Sequence, residues 1–313
     1  MRHVLLLVPL WSCVETSESG TSGRYVPVTS ELGPVDAISG LAATREDGDD
    51  TADLWAVPDS AVATSRIYGL EVEDAEVRIT SERLLTLDGN DVSYDLEGVE
   101  VDPGGGWWLA AEGDASSATS PNLLVHVNSL GEVSAEVPLP EQVASQQTKH
   151  GFEGVACDDD GAQVYLAFQR GWSDDPEGLV RIGRYTPATG EWAFYHYPLS
   201  FSPGQVGLSE LAWGGDGRLI VLERDDLEGD ESVLKQLTVV TVGDVEPALA
   251  GSTPPVLEPE VLRDLLADDD WPYEKAEGAT LLGDEGIVVN DDDAKDDVPT
   301  MALLIDGLGD ALR

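Results

Sequence analysis

Residues 151–170, GFEGVACDDDGAQVYLAFQR, decide the fold. They read as a strand that starts at a Phe152-Glu153-Gly154 corner, an Asp160-Gly161 turn, and a second strand ending on Gln169-Arg170. Two apolar runs joined by Asp-Gly make a hairpin, because Asp and Gly tolerate the left-handed backbone of a tight connection. Cys157 falls inside the first run and reads as a small core residue.

The same design recurs. Ile38-Ser39-Gly40-Leu41, Leu96-Glu97-Gly98-Val99, Leu208-Ser209-Glu210-Leu211 and Ala276-Glu277-Gly278-Ala279 repeat the corner, and positions 40, 98, 154, 210 and 278 lie 58, 56, 56 and 68 residues apart. Turns follow at Pro103-Gly104-Gly105, Asp216-Gly217 and Asp284-Glu285-Gly286, then second runs at 107–113, 218–226 and 286–293. Further runs at 66–72, 123–129, 178–186 and 234–242 complete the units. Four short strands per repeat of roughly 50 residues is the pattern of propeller blades, which bury their faces only by stacking around a ring. The chain is therefore expected to be all-β, a single β-propeller of five to six four-stranded blades. A strand at Arg24–Thr29 is expected to pair with the C-terminal run 301–308 and close the ring. The long fourth interval contains PPVLEPEVLRDLLADDDWP (254–272), where Pro259 suits a first helical turn and Val261, Leu262, Leu265 and Leu266 form an apolar face. One short helix inserted before the last blade is the expectation there.

The N-terminus reads as an export signal. Residues 1–13, MRHVLLLVPLWSC, join a short positive start to an apolar stretch too short to span a bilayer. Leu10 and Ser12 before Cys13 resemble a bacterial lipoprotein signal, which makes Cys13 the expected lipidation site; Trp11 departs from that pattern, and an ordinary secretory peptide is the alternative. Residues 14–30 are expected to be a flexible tether, most evidently at the Ser/Thr/Gly-rich 15–23, and 31–313 the propeller domain. The expected location is extracytoplasmic, with the membrane contacted only through a lipid anchor.

Charge narrows the partners. Against 17 basic residues stand 61 acidic ones, a formal net charge of −44, which repels nucleic acid and leaves cations as the natural partners. Most of these carboxylates read as a solvated surface, and a monomer is expected. In a propeller, equivalent positions form a ring around the channel. The corners thus gather Ser39, Glu97, Glu153, Ser209 or Glu210, and Glu277, with Asp59, Glu112, Gln169, Glu223 and Asp291 at the second-strand ends nearby. Such a ring needs cations or protons to relieve its repulsion, and with 4 His and 2 Cys in the chain calcium is the expected ion. A carboxylate at every corner could equally cap backbone amides and serve architecture.

The corners, the endings Gln169-Arg170 and Glu223-Arg224-Asp225, and Lys275-Ala276-Glu277-Gly278 with Val289-Asn290-Asp291-Asp292 together resemble the phytase-like β-propeller family, described by an esterase-like activity of phytase. The resemblance runs from about Val35 to the C-terminus. It implies an ester hydrolase related at a distance to calcium-dependent propeller phytases.

The candidate roles follow. Glu97, Glu153, Glu277 and Asp291 are the expected metal ligands, Glu153, Glu210 and His150 the expected catalytic groups, and Arg170, Arg224 and Lys275 the expected anion contacts. Arginine offers a planar fork to phosphate or carboxylate, and lysine adds a point charge. Each base could instead pair with a neighbouring carboxylate. No G-x-S-x-G elbow and no phosphate-cradling loop followed by Lys-Ser or Lys-Thr is present. Two functions of different class remain: an exported metal-dependent esterase or phosphatase acting on a small anionic ester, or a tethered propeller that binds a ligand or protein without catalysis. A sugar-lactone hydrolase is a third.

Overall fold

A computed structural model describes residues 23–34, 37–44, 52–59, 64–113, 120–295 and 298–313. Cys13 and the expected export signal lie outside these residues.

Five antiparallel blades form the ring. Blade I contains Ile38–Ala43, Leu54–Pro58, Arg66–Val72 and Val77–Leu84; blade II contains Asp95–Val101, Trp107–Glu112, Leu123–Val127 and Val133–Pro138. Blade III contains Phe152–Cys157, Val164–Phe168, Leu179–Thr186 and Glu191–Pro198, with Ala248–Leu249 added at its edge. Blade IV contains Val206–Gly215, Arg218–Asp225, Lys235–Thr241 and Glu260–Asp264. Blade V takes Lys275–Leu282, Glu285–Asp291 and Met301–Ile305 from the C-terminal end and Gly23–Ser30 from the N-terminal end. The described termini therefore complete the fifth blade, and the described strands make five blades. The part of the expected tether from residue 23 onward is strand, and it continues past blade V to pair in parallel with Val77–Ile79 of blade I.

The expected helix is shorter than its apolar spacing suggests. Residues 260–264 pair with Gln236–Val239 as the outer strand of blade IV, leaving Val261 62% exposed, and only Leu265–Asp269 is helical. Edge pairing satisfies the backbone of 260–264, and the Asp264 side chain then accepts from the amides of Leu266 and Ala267 to start the helix. A second short helix, Glu141–Ala144, lies between blades II and III.

Both faces of each blade are buried, so neighbouring residues on one strand enter different cores. Trp107 packs between blades I and II while Trp108 packs between II and III; Val288 and Val289 divide likewise between the IV–V and V–I interfaces. This explains why the second runs are continuously apolar and not alternating.

The five corners are five β-bulges. In every blade the register between innermost and second strand slips at the corner: between Ile38 and Gly40, Leu96 and Gly98, Phe152 and Val155, Leu208 and Glu210, and Ala276 and Gly278. The bulge bends the innermost strand where it meets its neighbour. Glycine follows because the strands nearly touch: a Cβ on Gly40 would lie 2.6 Å from the Cα of Gly98, and one on Gly98 would lie 2.6 Å from the carbonyl oxygen of Glu153.

Blade IV departs from that rule and carries Glu210 in the glycine position. Its carboxylate accepts from the amides of Leu41 and Leu211 at 3.0 Å each, and from that of Val155. A single carboxylate reaches the innermost strands of blades I, III and IV together only from the channel axis. Glu210 is 0% exposed and closes the channel.

Candidate functional site

The bulges set the geometry of one end of the ring, here called the mouth. Each innermost strand starts at this end and each second strand finishes there, so the bulged residues Ser39, Glu97, Glu153, Ser209 and Glu277 surround the axis just outside Glu210. Three glutamates and two serines thus share a small, nearly closed space.

Arg224 is the counter-charge within it. Its Nε donates to Ser209 Oγ at 2.9 Å and its Nη2 pairs with Glu277 Oε1. Burial acts to lower the Arg224 pKa, yet Glu277 and Glu153 outweigh it and hold the guanidinium above its ordinary value. Ser39 donates to Glu97 Oε2 at 2.5 Å. Among the described residues Glu277 Oε2 is buried without a partner, and no hydrogen bond reaches the Glu153 side chain, which is 3% exposed. Burial first, and then Glu97, Glu277 and Glu112, push the Glu153 carboxyl well above the usual range; burial likewise raises Glu97, with Asp95 and Glu112 adding to it. One arginine does not neutralise three carboxylates, of which Glu153 and Glu277 are buried and Glu97 half-buried, so the ring retains protons or takes a cation.

Among the described residues one acidic group fits a metal ion. Asp95, Glu97 and Glu112 each place an oxygen within 4.8 Å of the others. Asp95 and Glu112 face one another across the innermost and second strands of blade II, and the bulge swings Glu97 toward them. Glu112 Oε1 accepts from the Gly151 amide at 2.7 Å, which fixes the carboxylate beside the other two. The donors are all carboxylate oxygens, the set that hard divalent cations prefer. A cleft of about 450 Å³ opens beside them, lined by Tyr94, Asp95, Glu112, Pro121, Glu136 and Pro138.

The four expected ligands do not fall in one group. Glu97 belongs to the cluster, but Glu277 is engaged by Arg224, and Asp291 Oδ2 lies 2.8 Å from Lys275 Nζ. Lys275 is held by Asp291 and Asp293 together and is not a free anion contact. Glu210, expected to be catalytic, is sealed in the channel and bound to backbone amides. Asp95 was missed by the sequence reading; the signal was its i,i+2 spacing from Glu97 at the corner.

Arg170 and His150 come together at the rim. Arg170 Nη1 lies 3.2 Å from His150 Nε2 and donates to Gln205 Oε1 at 2.6 Å, while Trp172 Nε1 donates to the His150 carbonyl at 2.7 Å. Burial and the adjacent guanidinium lower the His150 pKa, which favours the neutral imidazole. Arg170 and Arg224 line one small recess with Gln169, Gly207 and Ser209. The recess is only about 10 Å³, and the Arg224 guanidinium is committed to Ser209 and Glu277, which leaves Arg170 as the arginine placed to meet an anion at the rim.

The phytase-like family, described as esterase-like activity of phytase, matches residues 33–294. The chain belongs to this family. No curated protein matches it. Solved structures with a similar course include the luciferin-regenerating enzyme (15% identity, TM-score 0.44, covering 88% of this chain and 80% of that one). β-1,2-Mannobiose phosphorylase from Listeria innocua gives 12%, 0.46, 93% and 92% for the same quantities, and the periplasmic gluconolactonase of Pseudomonas aeruginosa gives 12%, 0.36, 86% and 88%. Likenesses this distant carry nothing about the activity of this family member.

The buried carboxyls have a consequence for stability. Burial raises Asp291 from 3.8 to about 6 against the opposing hydrogen bond from Lys275, and burial also raises Glu97, Glu153 and Glu210. A carboxyl with a higher pKa in the folded chain binds more protons there than when unfolded. Its contribution is therefore greatest below the unfolded value and declines as pH rises through the window, 3.8 to about 6 for Asp291. In low salt with a chelator, the thermal midpoint is expected to rise as pH falls from 7 to 5, and relief of the acidic surface's self-repulsion acts the same way. A midpoint that falls over that interval would refute the burial of these charges.

Proposed function

We propose that this family member is an exported, metal-dependent hydrolase of a small anionic ester, acting at the propeller mouth. One observation carries the reading: a carboxylate cluster suited to a cation and the rim arginine Arg170 lie on the same end of the ring. A non-catalytic ligand-binding surface does not call for both.

Asp95, Glu97 and Glu112 would hold the ion, and calcium suits their oxygen donors. A bound divalent cation supplies Lewis-acid polarisation of an ester oxygen and lowers the pKa of water. Arg170 binds the anionic group, kept in place by Gln205 and His150. Glu153, whose carboxyl burial and the neighbouring glutamates push well above the usual range, is placed to deliver a proton to a leaving oxygen. The cleft beside Asp95 and Glu112 accommodates the organic part of the ester.

The placement of the N-terminal strand suits an anchored protein. Gly23 pairs with Ile305, which pairs with Gly286, at the end of blade V away from the mouth. An anchor at Cys13 would therefore leave the mouth facing away from the membrane.

Calcium added to chelator-stripped protein at a hundred times its Kd is expected to raise the thermal midpoint by about 5 °C or more. Combined Glu97→Gln and Glu112→Gln substitution removes that rise, and Arg170→Ala raises KM for p-nitrophenyl phosphate at least tenfold. If calcium neither stabilises the protein nor supports ester turnover, the hydrolase reading fails; calcium stabilisation without turnover leaves a binding protein.

A further inference from the structure

The opposite end of blade II holds a second chemical arrangement. His126 on the third strand lies with Nδ1 2.5 Å from Ser134 Oγ and Nε2 2.8 Å from Asp102 Oδ2. Asp102 follows directly on the innermost strand Asp95–Val101, and its Oδ1 accepts from the Gly104 amide at 2.9 Å, which fixes the carboxylate within the turn. The imidazole rests against Trp108, with ring centroids 4.5 Å apart.

Ser134 owes its position to a further bulge. Val127 pairs with Val133 and His126 with Ala135, so Ser134 is the extra residue of the outer strand. Bulges re-aim single side chains. This one sets the Ser134 hydroxyl beside the imidazole on an exposed residue, where it donates to the His126 carbonyl oxygen at 3.1 Å and turns to Nδ1 when it reacts; the His126 and Asp102 side chains are 18% and 16% exposed.

We propose that Ser134, His126 and Asp102 form a nucleophilic serine site for small neutral acyl esters, separate from the mouth. A hydroxyl, an imidazole and a carboxylate in this order constitute the serine-hydrolase relay, recognised by geometry and not by chain order, here with the two ring nitrogens exchanged. Asp102 accepts the Nε2 proton and so leaves Nδ1 as the base. Ser134 Oγ attacks the ester carbonyl carbon while its proton passes to Nδ1. The tetrahedral adduct then collapses, the carbon–alkoxy bond breaks, and the leaving alcohol takes the proton from Nδ1. Water attacks the acyl-serine with Nδ1 again as base, and the proton returns to Ser134 Oγ as the carboxylic acid departs. The exposed hydroxyl suits short acyl groups, and the acidic surface disfavours anionic ones.

The test is labelling of the full chain with a fluorophosphonate probe, alongside p-nitrophenyl acetate hydrolysis, both in EDTA so that a metal site at the mouth contributes nothing. The expected result is one adduct per chain on the peptide containing Ser134. Ser134→Ala and His126→Gln, each with the circular dichroism of the parent, lower both labelling and hydrolysis at least tenfold, and Asp102→Asn lowers hydrolysis with Ser134 still in place. Absence of an adduct, an adduct at another residue, or a Ser134→Ala protein with the parent's hydrolysis rate overturns the proposal.

Discussion

An Arg224→Met protein is expected to lose about 3–5 kcal/mol of folding stability, the usual cost of breaking a buried ion pair by removing one partner. Methionine keeps the apolar stem and deletes only the guanidinium. Glu277, whose side chain is 7% exposed, then stands without its counter-charge while its Oε2 still lacks a partner, and Glu153 loses the nearest positive group. Ser209 loses its donor as well. Urea unfolding measures the loss as a lower midpoint at constant slope. The double variant Arg224→Met with Glu277→Gln is expected to recover much of it, because the buried charge is then gone. An unchanged midpoint in the single variant would mean that the mouth is wetter than the buried side chains imply, and the carboxylate ring would lose its reason to recruit a cation.

The repeat was legible in the sequence because its cause is local. Every blade bulges where its innermost strand meets its neighbour, and four of the five place glycine behind the bulge, so the corner is written into the chain once per blade at nearly fixed spacing. The partners of the charged residues were not legible, because they depend on register and on neighbouring blades. Lys275 sits opposite Asp291 only once the innermost and second strands of blade V are in register, and Asp95 meets Glu112 for the same reason in blade II. Glu210 looked like another corner glutamate, yet in blade IV the bulged residue is Ser209 and the glutamate occupies the glycine position. The segment 260–264 carried apolar residues at helical spacing, and the open edge of blade IV drew it into a strand. His126 and Ser134 belong to no linear motif; a bulge in the pairing of their strands brings them together.

Removing residues 1–30 is expected to have a larger effect than any single substitution. Gly23–Pro27 pairs with Ile305–Met301 of blade V, and Val28–Ser30 pairs in parallel with Val77–Ile79 of blade I, so one strand joins the last blade to the first. Val26 and Val28 are 4% and 7% exposed within the V–I core. Tyr25 packs against Trp271 and Tyr273, and its hydroxyl donates to the Asp269 carbonyl at 3.0 Å. Two buried valines contribute about 1.5–3 kcal/mol each. Adding the tyrosine and the ladder brings the clasp to about 5 kcal/mol or more, comparable with the whole stability of an ordinary domain. Without it, two strand edges lie open at a broken ring, and unfolding should lose its single cooperative transition. The fitting reference is a chain that begins at Gly23. Thermal unfolding of the two should differ by ten degrees or more, and a synthetic peptide of residues 23–30 should restore part of the difference by pairing in trans. A truncated chain with the reference midpoint would show that the ring stays closed by blade-to-blade packing alone, and that the strand shared between blades V and I is not what holds it.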